Sequence, residues 1–291
     1  MHGLRQWNGE VCHAQYSKAP VGKYPAQKGR ICGHHHSHGG HHALLCDHRQ
    51  QRPQSLGAAH GGLHRTGRFK QYIFRAEPEW LGDLKRHGVT HLNLANNHSI
   101  DQGRIGLMDT RENIIKAGMT PVGAGQNQEE ADEPVLLTDS PRSVWLIASL
   151  QLALENFSRL PDQPCVSQQT IETLCQRIAQ LKQADPKCFI IVSLHWGWEN
   201  HLEVVPRQRY EARQLIDAGA DCLVCHHTHT LQPGETYQGK PIFYSLGNFI
   251  FDPRNDLNRQ GAMVRLTITE QEATAEELPI VIRQCTPYLK K

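Results

Sequence analysis

The chain has 291 residues, 38% of them hydrophobic, which is enough for a packed core, and 31 basic residues against 29 acidic ones leave a formal charge of +2. So even a balance excludes a polybasic membrane patch and offers no surface for nucleic acid. No run approaches the roughly 18 apolar residues that cross a bilayer and no apolar signal segment opens the chain, so the protein as written is expected in the cytoplasm with no membrane segment.

Residues 1–70 carry 11 of the 19 histidines with much Gly, Arg and Gln. They show neither a helical nor a strand period, and this part is expected to be poorly ordered and separate from a domain over 71–291. The run His34-His-His-Ser-His-Gly-Gly-His-His42 reads as a metal-binding arm, as a tail that takes up metal incidentally, or as sequence read in a wrong frame upstream of an intact domain; the last is preferred.

From Tyr72 onward, short apolar strands alternate with amphipathic helices, which predicts an α/β domain. Helices are expected at 78–87, 107–117, 168–183 and 207–218, closed by glycines such as Gly88 and Gly118. Strands are expected at 90–95, 135–137, 144–149, 188–194, 221–225, 241–245 and 262–269. The Ile-Ile-Val centre of 188–194 suits a strand covered on both faces. The nine cysteines fit no disulfide framework. Cys222 and Cys225 have C-x-x-C spacing, but they lie on a strand pattern and are expected to pack in the core rather than bind metal or cycle redox state.

Three polar clusters follow directly after predicted strands, where open α/β sheets place their ligands. They contain Asn97, His98 and Asp101; His195 and Glu199; and His226, His227 and His229. Imidazole nitrogens with amide or carboxylate oxygens suit manganese, iron or zinc. On an extended segment, alternation would put His227 and His229 on one side, able to grip one ion.

At these residues the chain resembles the CapA family of bacterial capsule and poly-γ-glutamate synthesis. The resemblance runs over LANNHSIDQG (94–103), VGAG (122–125), SLHWGWE (193–199), LIDAGAD (215–221), HHTHTLQP (226–233) and GKPIFYSLGNFIFD (239–252). It implies the calcineurin-like metallophosphatase fold, an α/β/β/α sandwich, here lacking its first strand or strands. It further implies one or two divalent metal ions held by Asn97, His195, His227 and His229, with His98 facing the substrate as the catalytic group. Asp101 and Glu199 would orient imidazoles or be surface carboxylates. His226 belongs to the same shell or pocket, and Asn248 either lines the pocket or serves a turn.

The family pattern also has carboxylates early in the chain, in Gly-Asp and Asn-Leu-Glu motifs, and neither is found here; Asp47 with His48 is a weak substitute. Without carboxylates two adjacent dications repel with little compensation. Two functions therefore compete: a metal-dependent hydrolase of capsule or poly-γ-glutamate metabolism, and a non-catalytic polymer-binding or assembly protein with an incomplete metal site. Either would partner the polymer or its synthesis machinery, in a family commonly exported or membrane-anchored.

Overall fold

The computed structural model describes residues 7–11, 73–154, 157–253 and 255–290. In chain order these form β1 (Trp7–Val11), α1 (Trp80–Arg86), β2 (His91–Asn93), α2 (Gly103–Lys116), β3 (Thr120–Val122), β4 (Ala124–Gly125) and α3 (Gln128–Ala131). They continue as β5 (Val135–Thr138), β6 (Val144–Leu150), β7 (Cys165–Val166), α4 (Ile171–Ala184), β8 (Phe189–His195), α5 (Pro206–Asp217) and β9 (Cys222–Val224). The last are β10 (Glu235–Tyr237), β11 (Lys240–Phe243), a 3-10 turn at Leu257–Arg259, β12 (Gln260–Ile268), β13 (Ala273–Arg283) and β14 (Thr286–Leu289).

Local chemistry starts and stops these elements. Thr170 caps α4, its side chain accepting from Thr173 N at 3.1 Å, as a threonine outside the first turn commonly does. Pro206 opens α5, where its fixed φ suits a helix start and its missing N–H has no intrahelical partner to lose. Gly88 (φ 86°) and Gly118 (φ 74°) follow α1 and α2 in the left-handed conformation that ends helices.

Six strands form one sheet in the order β10-β11-β9-β8-β6-β5. Its centre is parallel: β8 pairs with β6 over seven residues, and β9 with β8 and β11. Both faces of β8 are therefore covered, and all seven of its residues are buried. On one face Ile190, Val192 and Leu194 meet Leu174 and Ile178 of α4 and Ala212, Leu215 and Ile216 of α5. On the other, Phe189 and Ile191 meet Val264, Leu266 and Ile268 of β12, in the second sheet β1-β12-β13-β14.

The fourth layer lies beyond β2 and β3. Leu92 of β2 and Leu94 after it pack on Leu81 and Leu84 of α1 and Leu107 and Ile114 of α2. The opposite side of this segment faces inward: Asn93 Nδ2 donates to Ser193 Oγ of β8 at 3.1 Å, and Ala95 joins the core between the sheets. Helices, sheet, sheet and helices thus stack as the expected α/β/β/α sandwich.

Two differences from the sequence reading concern the second sheet. β13 and β14 carry no clear alternation because the first half of β13 is largely solvated, with the consecutive Glu276 and Glu277 both exposed, while Ile280 and Ile282 alone are deeply buried. At the other edge Trp7–Val11, read as structureless, pairs antiparallel with β12 from Trp7↔Ile268 to Val11↔Val264. This pairing uses backbone groups, which a search for side-chain periodicity does not detect, and it covers a strand edge that would otherwise be open.

Candidate metal centre

Parallel pairing carries the three polar clusters to one edge of the sandwich. His195 is the last residue of β8, His226 follows β9, and a bridge joins the two backbones. Asn97 and His98 follow β2, and Asn248 lies just past β11. Beneath His195, Trp196 is buried, stacks on Tyr244 at 6.2 Å and donates its indole N–H to Tyr244 O at 3.1 Å. That contact locks the end of β8 to the segment leading to Asn248.

The side chains converge. His195 Nε2 lies 2.9 Å from Asn97 Oδ1 and 3.0 Å from His227 Nδ1, and all three residues are buried. Donor atoms about 2.1 Å from one cation would be about 3 Å apart at the right angles of octahedral coordination and about 3.4 Å apart in a tetrahedron, so a small spreading of this set accommodates a shared ion. Two imidazoles and an amide oxygen also suit the borderline dications manganese, iron and zinc. Among the described residues, no group of three or more His, Cys, Asp or Glu side chains stands together as a metal site. The converging set depends on the Asn97 amide.

Burial keeps His227 and His229 neutral. It pushes His227 down to about 3, with the neighbouring His229 and His98 adding to the effect. It pushes His229 down to about 4, against the opposing hydrogen bond with Asn248 and with help from His98. Neutral imidazole is the form that ligates a metal.

His98 Nδ1 donates to Asp101 Oδ2 at 2.9 Å, and the same oxygen accepts from Phe74 N at 2.9 Å. Asp101 thus orients the His98 ring. His229 Nδ1 meets Asn248 Oδ1 at 2.8 Å, and its ring lies 5.1 Å from that of Phe251. His226 is buried with its ring edge-on to His195 at 4.8 Å. Glu199 is exposed and lines, with Asn97, Leu152, Ala153, Gly197, Trp198 and His227, an open cleft of about 310 Å³. It stands at the cleft wall rather than in the buried cluster.

Strand alternation does not pair His227 with His229, contrary to the expectation from the sequence. The segment is a turn, not an extended strand: His227 has φ 111° and His229 φ 62°, both in the left-handed region that costs a non-glycine residue of the order of 1–3 kcal/mol. Cys222 and Cys225 behave as expected of core residues. They are fully buried free thiols in cores on opposite faces of the sheet, and burial pushes Cys225 up to about 12 and Cys222 higher still. Asp47, His48 and the histidine run 34–42 lie outside the described residues.

Three contributors were not singled out in the sequence. Phe74 sets its ring 4.7 Å from His98. Asn96 Oδ1 accepts from His98 N at 2.9 Å, and Asn258 hydrogen-bonds to the His229 backbone. The repeated asparagine of LANNH was a usable signal for Asn96; a lone asparagine some 30 residues along the chain from His229 was none for Asn258.

Comparison with known proteins agrees with the resemblance. A family model described as "Bacterial capsule synthesis protein PGA_cap" matches residues 59–253, beginning ahead of Tyr72. The "PGA biosynthesis protein CapA" of Bacillus subtilis (strain 168) is 33% identical over 221 residues, covering 75% of this chain and 57% of the relative. The "Capsule biosynthesis protein CapA" of Bacillus anthracis is 32% identical over 223 residues, covering 75% and 54%. The chain therefore spans about half the length of the curated relatives it matches. Among solved structures, a 5'-nucleotidase precursor from Thermus thermophilus is similar, with 14% identity, a TM-score of 0.46, and coverage of 72% of this chain and 43% of that one. With residues 59–253, more than half of the chain, matched by the model, the chain belongs to the PGA_cap family of bacterial capsule synthesis proteins.

Proposed function

We propose that this chain carries a metal-dependent, hydrolase-type centre serving capsule or poly-γ-glutamate biosynthesis, with the polymer or its synthesis machinery as partner. The biological setting is supported by the names of its relatives. The observation that carries the chemistry is the approach of Asn97 Oδ1 and His227 Nδ1 to within 2.9 and 3.0 Å of His195 Nε2. Asn97, His195, His227 and His229 would hold one or two divalent ions of manganese, iron or zinc. Such an ion supplies Lewis acidity and a hydroxide at neutral pH.

The remaining steps belong to the chain itself. Buried, neutral imidazoles present lone pairs to the cation without first losing a proton. Asp101 holds His98 by Nδ1, and the opposite N–H of the protonated ring passes its proton to a leaving oxygen or hydrogen-bonds to it; after transfer the ring is neutral with its remaining proton on Nδ1. The cleft beside His227 gives a substrate access. The bond cleaved is a phosphoester or an amide, since the same nucleophile attacks either.

The test is elemental analysis of the purified full chain together with hydrolysis of a generic phosphodiester, bis(p-nitrophenyl) phosphate. Stoichiometric metal and turnover that falls about 10²- to 10⁴-fold in His98→Ala, with metal content retained, are expected. Metal far below one equivalent after incubation with manganese, iron and zinc, together with retained polymer binding, would instead identify a non-catalytic assembly protein.

A further inference from the structure

Asn248 and Asn258 form a closed hydrogen-bond circuit around His229. Asn248 Nδ2 donates to the Asn258 backbone carbonyl at 3.0 Å. A carbonyl oxygen can only accept, so this contact determines which end of the Asn248 amide is which. The other end, Oδ1, faces His229 Nδ1 at 2.8 Å. That oxygen too can only accept, so in the neutral ring the proton resides on Nδ1 and the lone pair on Nε2. Asn258 completes the circuit by donating from Nδ2 to His229 O at 2.9 Å and to Asn200 Oδ1 at 3.1 Å.

The backbone is shaped for this contact. Gly247 has φ 66°, and a Cβ there would lie 2.5 Å from Gln260 O. A Cβ on Gly261 would lie 2.0 Å from Asn248 O. Only glycine allows these two segments to approach so closely, and their approach seats Asn248 fully buried against His229. This arrangement goes beyond what a turn requires.

We infer that Asn248 and Asn258 are positioning residues that hold His229 in its Nδ1–H tautomer, so that Nε2 is the nitrogen through which it binds a cation. The ligation half of this inference rests on the proposed metal centre; the tautomer half does not. Outer partners of this kind commonly govern metal affinity by fixing a ring's tautomer and orientation.

The test uses the full, metal-free chain labelled with ¹⁵N-histidine, with long-range ¹H–¹⁵N correlations read at neutral pH and His229 assigned by its loss in His229→Gln. The expected wild-type pattern is Nδ1–H. Asn248→Ala should admit the Nε2–H form and weaken binding of Zn²⁺ or Mn²⁺ about 10- to 100-fold, whereas Asn248→Asp, which keeps the acceptor, should keep the Nδ1–H pattern. A wild-type Nε2–H pattern, or an unchanged Nδ1–H pattern in folded Asn248→Ala, overturns the inference. If Asn248→Ala does not fold, Asn248→Leu, which fills the space and offers no acceptor, takes its place: it should raise the Nε2–H population, and a pure Nδ1–H pattern would overturn the inference. A wild-type chain that binds neither metal but keeps the Nδ1–H pattern sinks the metal centre and leaves the tautomer assignment standing.

Discussion

Strand β8 up to Leu194 and the turn His226–Thr230 are equally inaccessible, with every residue at 7% exposure or less, yet they are held by different forces. In β8 the side chains are nearly all apolar and lie between α4 and α5 on one face and β12 on the other. Their burial is favourable wherever neighbours fill the space. The turn is His-His-Thr-His-Thr, and each polar group removed from water must find a partner. Thr228 Oγ1 stands 2.9 Å from Ser245 Oγ and 3.0 Å from Thr230 O, and Thr230 Oγ1 donates to His201 O at 2.6 Å. Apolar burial supplies most of the stability, while polar burial specifies one arrangement and so can hold rings to a few tenths of an ångström.

The sharpest way to break this contrast is to truncate each region and compare stability by denaturant unfolding. Ile190→Ala in β8 should cost about 2–5 kcal/mol, because the close-packed surroundings collapse only partly into the cavity. The folded fraction should keep its metal affinity. Thr228→Val in the turn should cost less, about 1–3 kcal/mol, by removing the buried hydroxyl that contacts both Ser245 Oγ and Thr230 O. Unlike Ile190→Ala, it should also weaken metal binding, since the turn carries His227 and His229. A result in which both variants lose stability equally and neither alters metal affinity would erase the distinction. The baseline is Lys116→Ala on α2, whose ion pair with Glu112 at 2.7 Å is solvent-exposed and should leave the unfolding midpoint essentially unchanged.

Much of the sandwich was legible along the chain. The run Phe189–His195 announces a doubly covered strand by its apolar content, and glycines mark where α1 and α2 stop. The site clusters were legible too, because polar residues placed directly after apolar strands have few structural uses. Glu199 was grouped with its neighbour His195 by sequence proximity, but one residue turns inward and the other lines an exposed wall. Asn258 gave no sign, since its partner is far away in the chain.

Sequence by itself determined the four longer helices and most strands of the six-stranded sheet, the family, and which residue types stand at the strand ends, because these depend on local pattern. Tertiary structure alone decided that Asn97, His195 and His227 meet within about 3 Å, that His227 and His229 leave the extended conformation, and that Asn248 faces the ring of His229. Those outcomes depend on how two sheets register against each other and how closely glycine lets their loops approach, which is a property of the packed whole and of no single segment.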